Sequence, residues 1–175
     1  MTPKVQKLWQ KLEQQRIDLF KQLDSVDPSV LDRKSGLNVW SANQNLEHLL
    51  LAETTSLSYL KKKLSSGGEN IPKAGVKSWL RRFLLRIAFA LPSLKFKAPQ
   101  YLGDLPESSD FKDLTTRFAA QRAELKNYLD TLPDNLLEGE IWKHARAGKM
   151  NIAQMLDFFE DHFNRHEQQL KKAIK

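Results

Sequence analysis

The sequence predicts an all-α protein built on four long helices, with an extra amphipathic helix in the connection between the second and the third. Three observations point there. The seven glycines and seven prolines cluster between periodic segments rather than inside them. The segments themselves are rich in Leu, Lys, Gln, Glu and Arg, residues that lose little rotamer freedom in a helix. Their apolar residues recur at helical spacing behind recognisable capping residues.

The first helix is expected from about Pro3, a residue pre-set for a first turn, to about Asp24. Leu8, Leu12, Leu19 and Leu23 mark its buried stripe, and Asp27-Pro28 lies beyond its end. A second start falls at Ser41, where Gln44 completes a capping-box pattern. That helix runs to about Leu64, before Ser65-Ser66-Gly67-Gly68. Its stripe is Leu46, Leu50, Leu57, Leu60 and Leu64. A third helix begins near Ser109 and Asp110, carries Phe111, Leu114, Phe118, Leu125 and Leu129, and stops before Pro133. Asn151, with Gln154 three residues on, opens a fourth that reaches almost to Lys175.

The connection between the second and third helices exceeds forty residues and should contain structure of its own. Its segment 76–91 places Trp79, Leu80, Phe83, Leu84, Ile87 and Leu91 on one helical face and Arg81, Arg82 and Arg86 on the other. This helix is too short and too charged to cross a bilayer, which takes about 20 mostly apolar residues. Most amphipathic helices face a core, so the apolar face is expected to pack on the bundle or on a second copy of the chain, as in a homodimer. Contact with a membrane surface is the less expected alternative.

A length of 175 residues suits a single domain over the whole chain, with no internal repeat. Cysteine is absent, which excludes disulfides, thiolate metal sites and a cysteine nucleophile, so any metal must be held by nitrogen or oxygen. Residues 1–10 are polar and basic and do not read as a secretory signal, so a cytoplasmic location is expected. The formal charge is +7, which draws anionic partners without choosing among nucleic acid, lipid and substrate. No nucleic-acid-binding motif is present, and no nucleic-acid binding is expected.

Chemistry is most readable in the four histidines. His162 and His166 stand at i and i+4 on the fourth helix, about 40° apart around its axis, so both can reach one ion. Against an inward stripe of Ile152, Leu156, Phe159, Phe163 and Leu170, they fall on the flank beside Met155, where side chains can meet a cavity. Two histidines at this spacing can also be plain boundary residues. A third ligand would give the usual three-ligand catalytic arrangement, and His48 is the candidate. Periodicity leaves two readings for it. The leucine stripe of the second helix points away from His48, so the residue is either exposed or lies on a second covered side that lines a pocket.

Two stretches carry a resemblance. WSANQNLEHLLLAE, residues 40–53, resembles the second-helix motif of the DinB-like superfamily, in which Trp-Ser caps the helix and a histidine follows; His48 falls on it. HARAGKMNIAQMLDFFEDHFNRH, residues 144–166, resembles that family's HPxxG turn, capped fourth helix and terminal HxxxH, with His162 and His166 on the metal-binding pair. SLKFKAPQYLGDLP, residues 93–106, is similar to the crossover before the third helix. Ala145 stands where the turn proline usually follows the histidine, which leaves His144 only as a candidate to support a ligand from outside or to transfer a proton.

The resemblance implies a four-helix bundle with a long crossover and a divalent metal (zinc, nickel, iron or manganese) on His48, His162 and His166. It further implies a metal-dependent hydrolase or a thiol-dependent S-transferase acting on a small-molecule substrate. Glu47, Glu53 and Asp161 are the carboxylates near enough in sequence to serve as a base, though each reads better as a solvated charge or a partner to a ligand. The alternative is a non-catalytic basic helical module that binds anionic membrane or nucleic acid through residues 76–97, using Arg81, Arg82, Arg86, Lys95 and Lys97.

Overall fold

Side-chain caps fix where the long helices begin. The computed structural model describes residues 1–37, 39–65, 70–91 and 105–175. Helix α1, Pro3–Leu23, starts at Thr2, whose side chain accepts the Val5 N–H at 3.3 Å. The short α2, Pro28–Asp32, is capped by Asp27. At the start of α3, Ala42–Ser65, the Ser41 hydroxyl accepts from Gln44 N while the Gln44 side chain accepts from Ser41 N, the reciprocal pair that the spacing predicts. Helix α4 is Val76–Ala90, and α5, Phe111–Thr131, starts at Asp110. Then come α6, Asp134–Glu138, and a hairpin of β1, Trp142–His144, and β2, Gly148–Met150. Asn151 and Gln154 form a second capping box at α7, Ile152–Ala173. The four long helices and the amphipathic one lie where the sequence places them. The residues that stop α3 after Ser65, the crossover 92–104, Lys95 and Lys97 lie outside the described residues.

Helices α1, α7, α3 and α5 form a ring in which α7 packs between α1 and α3, and α5 closes the other side. Two apolar clusters fill the ring. One joins Leu12, Leu57, Leu60, Leu125, Leu129 and Phe159, the other Leu19, Leu46, Phe118, Phe163 and Leu170. Along every helix the switch from one cluster to the other happens at a polar residue: Arg16 on α1, Glu53 on α3, Arg122 on α5 and His162 on α7. Arg122 is fully buried and reaches Glu53 with two hydrogen bonds, Nε to Oε2 at 2.5 Å and Nη2 to Oε1 at 2.7 Å. Its Nη1 donates to the Leu12 carbonyl at 3.0 Å, so the guanidinium ties α5 to both α3 and α1.

The chain returning from the crossover is pinned across the start of α3. Asn43 donates to the Ser109 carbonyl at 2.7 Å, Gln44 to the Pro106 carbonyl at 3.1 Å, and the Ser109 hydroxyl to Glu47 at 2.8 Å. With these partners in place, every residue in the stretch 41–50 is buried.

Of the two packings expected for the apolar face of residues 76–91, the one on the bundle itself is overturned. Helix α4 does pack on the bundle, against α7, but with Ser78, Arg82, Leu85 and Phe89 rather than with its apolar row. Arg82 can turn inward because Asp161 of α7 accepts from it at 2.6 Å, and Ser78 bonds Gln154 at 2.5 Å. The apolar row is therefore outside: Trp79 is 60% exposed, Leu84 56% and Phe83 45%. Among the described residues no helix is long and apolar enough to cross a membrane.

The buried pair sets a test of the bundle. Arg122→Ala strands the Glu53 carboxylate in the core and is expected to lower unfolding free energy by about 3–5 kcal/mol. Arg122→Met with Glu53→Leu should recover much of that loss, because two apolar side chains leave no unpaired charge. Urea unfolding followed by far-UV circular dichroism measures both.

Candidate metal centre

Burial of the first turns of α3 brings His48 inside, where it meets the i, i+4 pair of α7. His48, His162 and His166 are 6%, 8% and 7% exposed, and one ring nitrogen from each lies within 4.8 Å of the other two. His48 Nε2 and His162 Nε2 are 3.1 Å apart. Two lone pairs at that distance repel, so the pair must share either a proton or a cation. The separation is close to the edge of a tetrahedral zinc site with two imidazoles, about 3.3 Å for bonds of about 2.0 to 2.1 Å.

The third ring is oriented by Asn45. The Asn45 amide nitrogen donates to the Ser41 carbonyl at 2.8 Å, which fixes its oxygen on the opposite side, 2.9 Å from His166 Nδ1. A carbonyl oxygen can only accept, so Nδ1 carries the proton and Nε2 is left as the bare lone pair. This is the arrangement by which an outer hydrogen bond selects the tautomer of a metal-binding histidine. In the sequence Asn45 stands only as part of a motif; its place three residues before His48, at the start of a capped helix, is the available signal.

Aromatic rings wall the group. Trp40 lies with its centroid 4.9 Å from that of His48 and 6.0 Å from that of His166. Phe158 stacks on His162 at 5.2 Å, and Phe89 of α4 meets the same ring edge-on at 5.8 Å. Burial in this setting penalises the imidazolium form. It draws His48 down to about 4 and His166 to about 3, the latter helped by the charges of His48 and Arg165. His162 is held well below its ordinary value by burial and then by its two histidine neighbours. All three are neutral at pH 7, the state in which nitrogen can bind a metal.

His144 stands apart from that group. It ends β1, and its Nδ1 accepts the backbone N–H groups of Arg146 and Ala147 at 3.3 and 3.1 Å. The ring thereby shapes the hairpin turn in which Gly148 takes φ +81°, a conformation that suits a residue with no Cβ. With Nδ1 accepting, the proton sits on Nε2. Phe158 touches both the His144 and His162 rings, so His144 borders the site without joining the three. Burial, aided by Arg146 and Arg82, pulls it down to about 4.

The three carboxylates considered from sequence are tied to arginines, and none is a solvated charge. Glu47 is paired with Arg117 at 2.5 Å, Glu53 with Arg122, and Asp161 with Arg82. Among the described residues nitrogen alone is offered to an ion here, and no carboxylate belongs to the three-residue group. Three neutral donors, walled by aromatic rings and with one tautomer fixed, fit a divalent cation.

A helical bundle that turns three histidines into one buried group defines the class of protein. The sequence matches the family described as the DinB superfamily over residues 11–170, and the chain belongs to that superfamily. No curated protein and no solved structure matches it.

The low histidine values predict how the metal-free protein responds to acid. Unfolded histidines take up protons near pH 6.5, whereas His48 and His166 in the fold resist until about 4 and about 3. Between these limits the unfolded chain binds more protons, so stability is complete above about pH 6.5 and falls as pH drops toward 4. Melting temperature of chelator-treated protein should decline over that window. A His48→Gln/His166→Gln variant should show a flatter curve.

Proposed function

We infer that the protein is a divalent-metal enzyme acting on a small molecule, by hydrolysis or by transfer of a thiol sulfur. The observation that carries this reading is the group of three buried, neutral imidazoles with His166 locked in one tautomer by Asn45. One proton between His48 and His162 would still leave the bare His166 Nε2 without a partner among the three, whereas a cation would meet all three nitrogens. His48, His162 and His166 would hold a divalent ion through neutral nitrogens, and the ion would supply there the Lewis acidity that acidifies a water or a thiol.

The chain's own residues define the rest. Asn45 holds the His166 ring in place, while Trp40, Phe89 and Phe158 limit access of bulk water. Because Glu47, Glu53 and Asp161 are engaged by arginines, none is available as a base without breaking an ion pair. His144, with its proton on Nε2, is a donor at the border of the site. Nitrogen donors suit zinc, nickel, iron and manganese, with the usual order of affinity favouring the later metals.

Protein prepared without a polyhistidine tag should contain one divalent ion per chain after metal loading, read by elemental analysis. His48→Ala, His162→Ala and His166→Ala should each drop below about a tenth of an ion per chain, since two imidazoles rarely suffice. Wild-type content that low would reject the site. Asn45→Leu should fold and retain the metal with affinity reduced about 10 to 100-fold, the effect of removing an orienting hydrogen bond.

A further inference from the structure

Among the described residues, exposed large hydrophobic side chains concentrate on the outward face of α4 and its C-cap. Val76, Trp79, Leu80, Phe83, Leu84, Ile87 and Leu91 are all exposed, and Trp79 and Phe83 stack with ring centroids 5.4 Å apart. At about 100° per residue these side chains cover a continuous arc. Lys77 borders the arc on one side and Arg86 on the other, both exposed. The helix contains no acidic residue.

Charge is concentrated in the same part of the sequence. Residues 71–103 contain seven Lys and Arg and no Asp or Glu, which leaves 21 basic against 21 acidic residues in the remainder of the chain. The whole +7 of the protein thus belongs to α4 and its flanks. Three of those charges are engaged within the fold: Lys73 by Glu138, Arg81 by Glu140 and Arg82 by Asp161. Arg86 touches Asp161 only at 3.8 Å and keeps a side chain 63% exposed.

We propose that this face docks on the surface of an anionic phospholipid bilayer, with the aromatic and leucine side chains among the acyl chains and Lys77 and Arg86 at the headgroups. An apolar arc bordered by cations is the pattern by which a helix lies in a membrane interface, and the basic flanks add attraction to anionic lipid. A symmetric pairing of α4 with α4 of a second copy would bring the cationic borders of both helices together with no acid on either. The inward row Ser78, Arg82, Leu85 and Phe89 already anchors α4 on α7, so the outward row is free to insert without unpacking the bundle. Docking is independent of the histidine group.

The full chain should float with vesicles of phosphatidylcholine mixed with phosphatidylglycerol, and about tenfold or more weakly with phosphatidylcholine alone. Trp79→Glu/Phe83→Glu should lose flotation while melting temperature and metal content remain those of the wild type. Lys77→Gln/Arg86→Gln should weaken binding about tenfold or more. Three results would each overturn the proposal. The wild type fails to float; the Trp79→Glu/Phe83→Glu variant melts well below the wild type, which shows the face packed on the chain itself; or the wild type is a dimer by light scattering that this variant converts to monomer without any vesicle binding.

Discussion

The buried guanidinium of Arg122 is the interaction on which the layout of the bundle depends. A charge with no exposure at all persists only where its donors are met, and here the Glu53 carboxylate and the Leu12 carbonyl meet them. Those contacts require α1, α3 and α5 to approach at one level, and at that level the apolar core divides into two clusters. His162 occupies the corresponding place on α7. A bundle with a polar cross-section is less tolerant of sliding than one filled by leucine, because a shift of one turn would move Arg122 away from both partners. The register that satisfies the arginine sets α1 and α3 relative to α5, and α7 packs between α1 and α3. It therefore helps determine whether His48 meets His162 and His166.

Much of this was legible in the sequence, and the parts that were not have physical reasons. The starts of the long helices follow from Pro3, Ser41-Gln44, Asp110 and Asn151-Gln154, because a cap is a local arrangement within four residues. The short α2 and α6 and the hairpin are too brief to show periodicity, although Asp27-Pro28 combines an N-cap residue with a first-turn proline. His48 is the instructive case. Asn43, Gln44 and Glu47 are polar side chains at the start of α3, yet they are buried by hydrogen bonds to residues more than sixty positions away. Periodicity records how apolar a face is, and cannot register that a polar face is covered by a segment whose backbone groups it satisfies. Only the motif resemblance placed His48 beside the α7 pair.

Helix α4 shows the opposite failure. Its apolar arc predicts packing on the bundle or on a second copy, and within the chain the helix presents that arc outward. The rule that a helix buries its apolar stripe holds when the facing surface is apolar. Here the facing surface of α7 offers Asp161 and Gln154, and Arg82 and Ser78 answer them. Arg82 pairs with Asp161 at 2.6 Å and Ser78 with Gln154 at 2.5 Å, and breaking the first would leave a charge unpaired between two helices, so these contacts hold the inner row of α4 toward α7.

The two faces of α4 meet in its last turns. Phe89, on the inner row, touches His162, while the Phe89 carbonyl accepts from Arg165 at 3.0 Å. The helix that carries the exposed apolar arc is thus also one wall of the histidine group. Rotating α4 to bury the arc against α7 would break the Arg82–Asp161 pair and move Phe89 away from His162, exposing that ring to water and easing its protonation. Keeping the imidazoles neutral and keeping the leucine row outside are consequences of the same placement of one helix. The exposed face is what remains when the polar contacts that shelter the site are satisfied first.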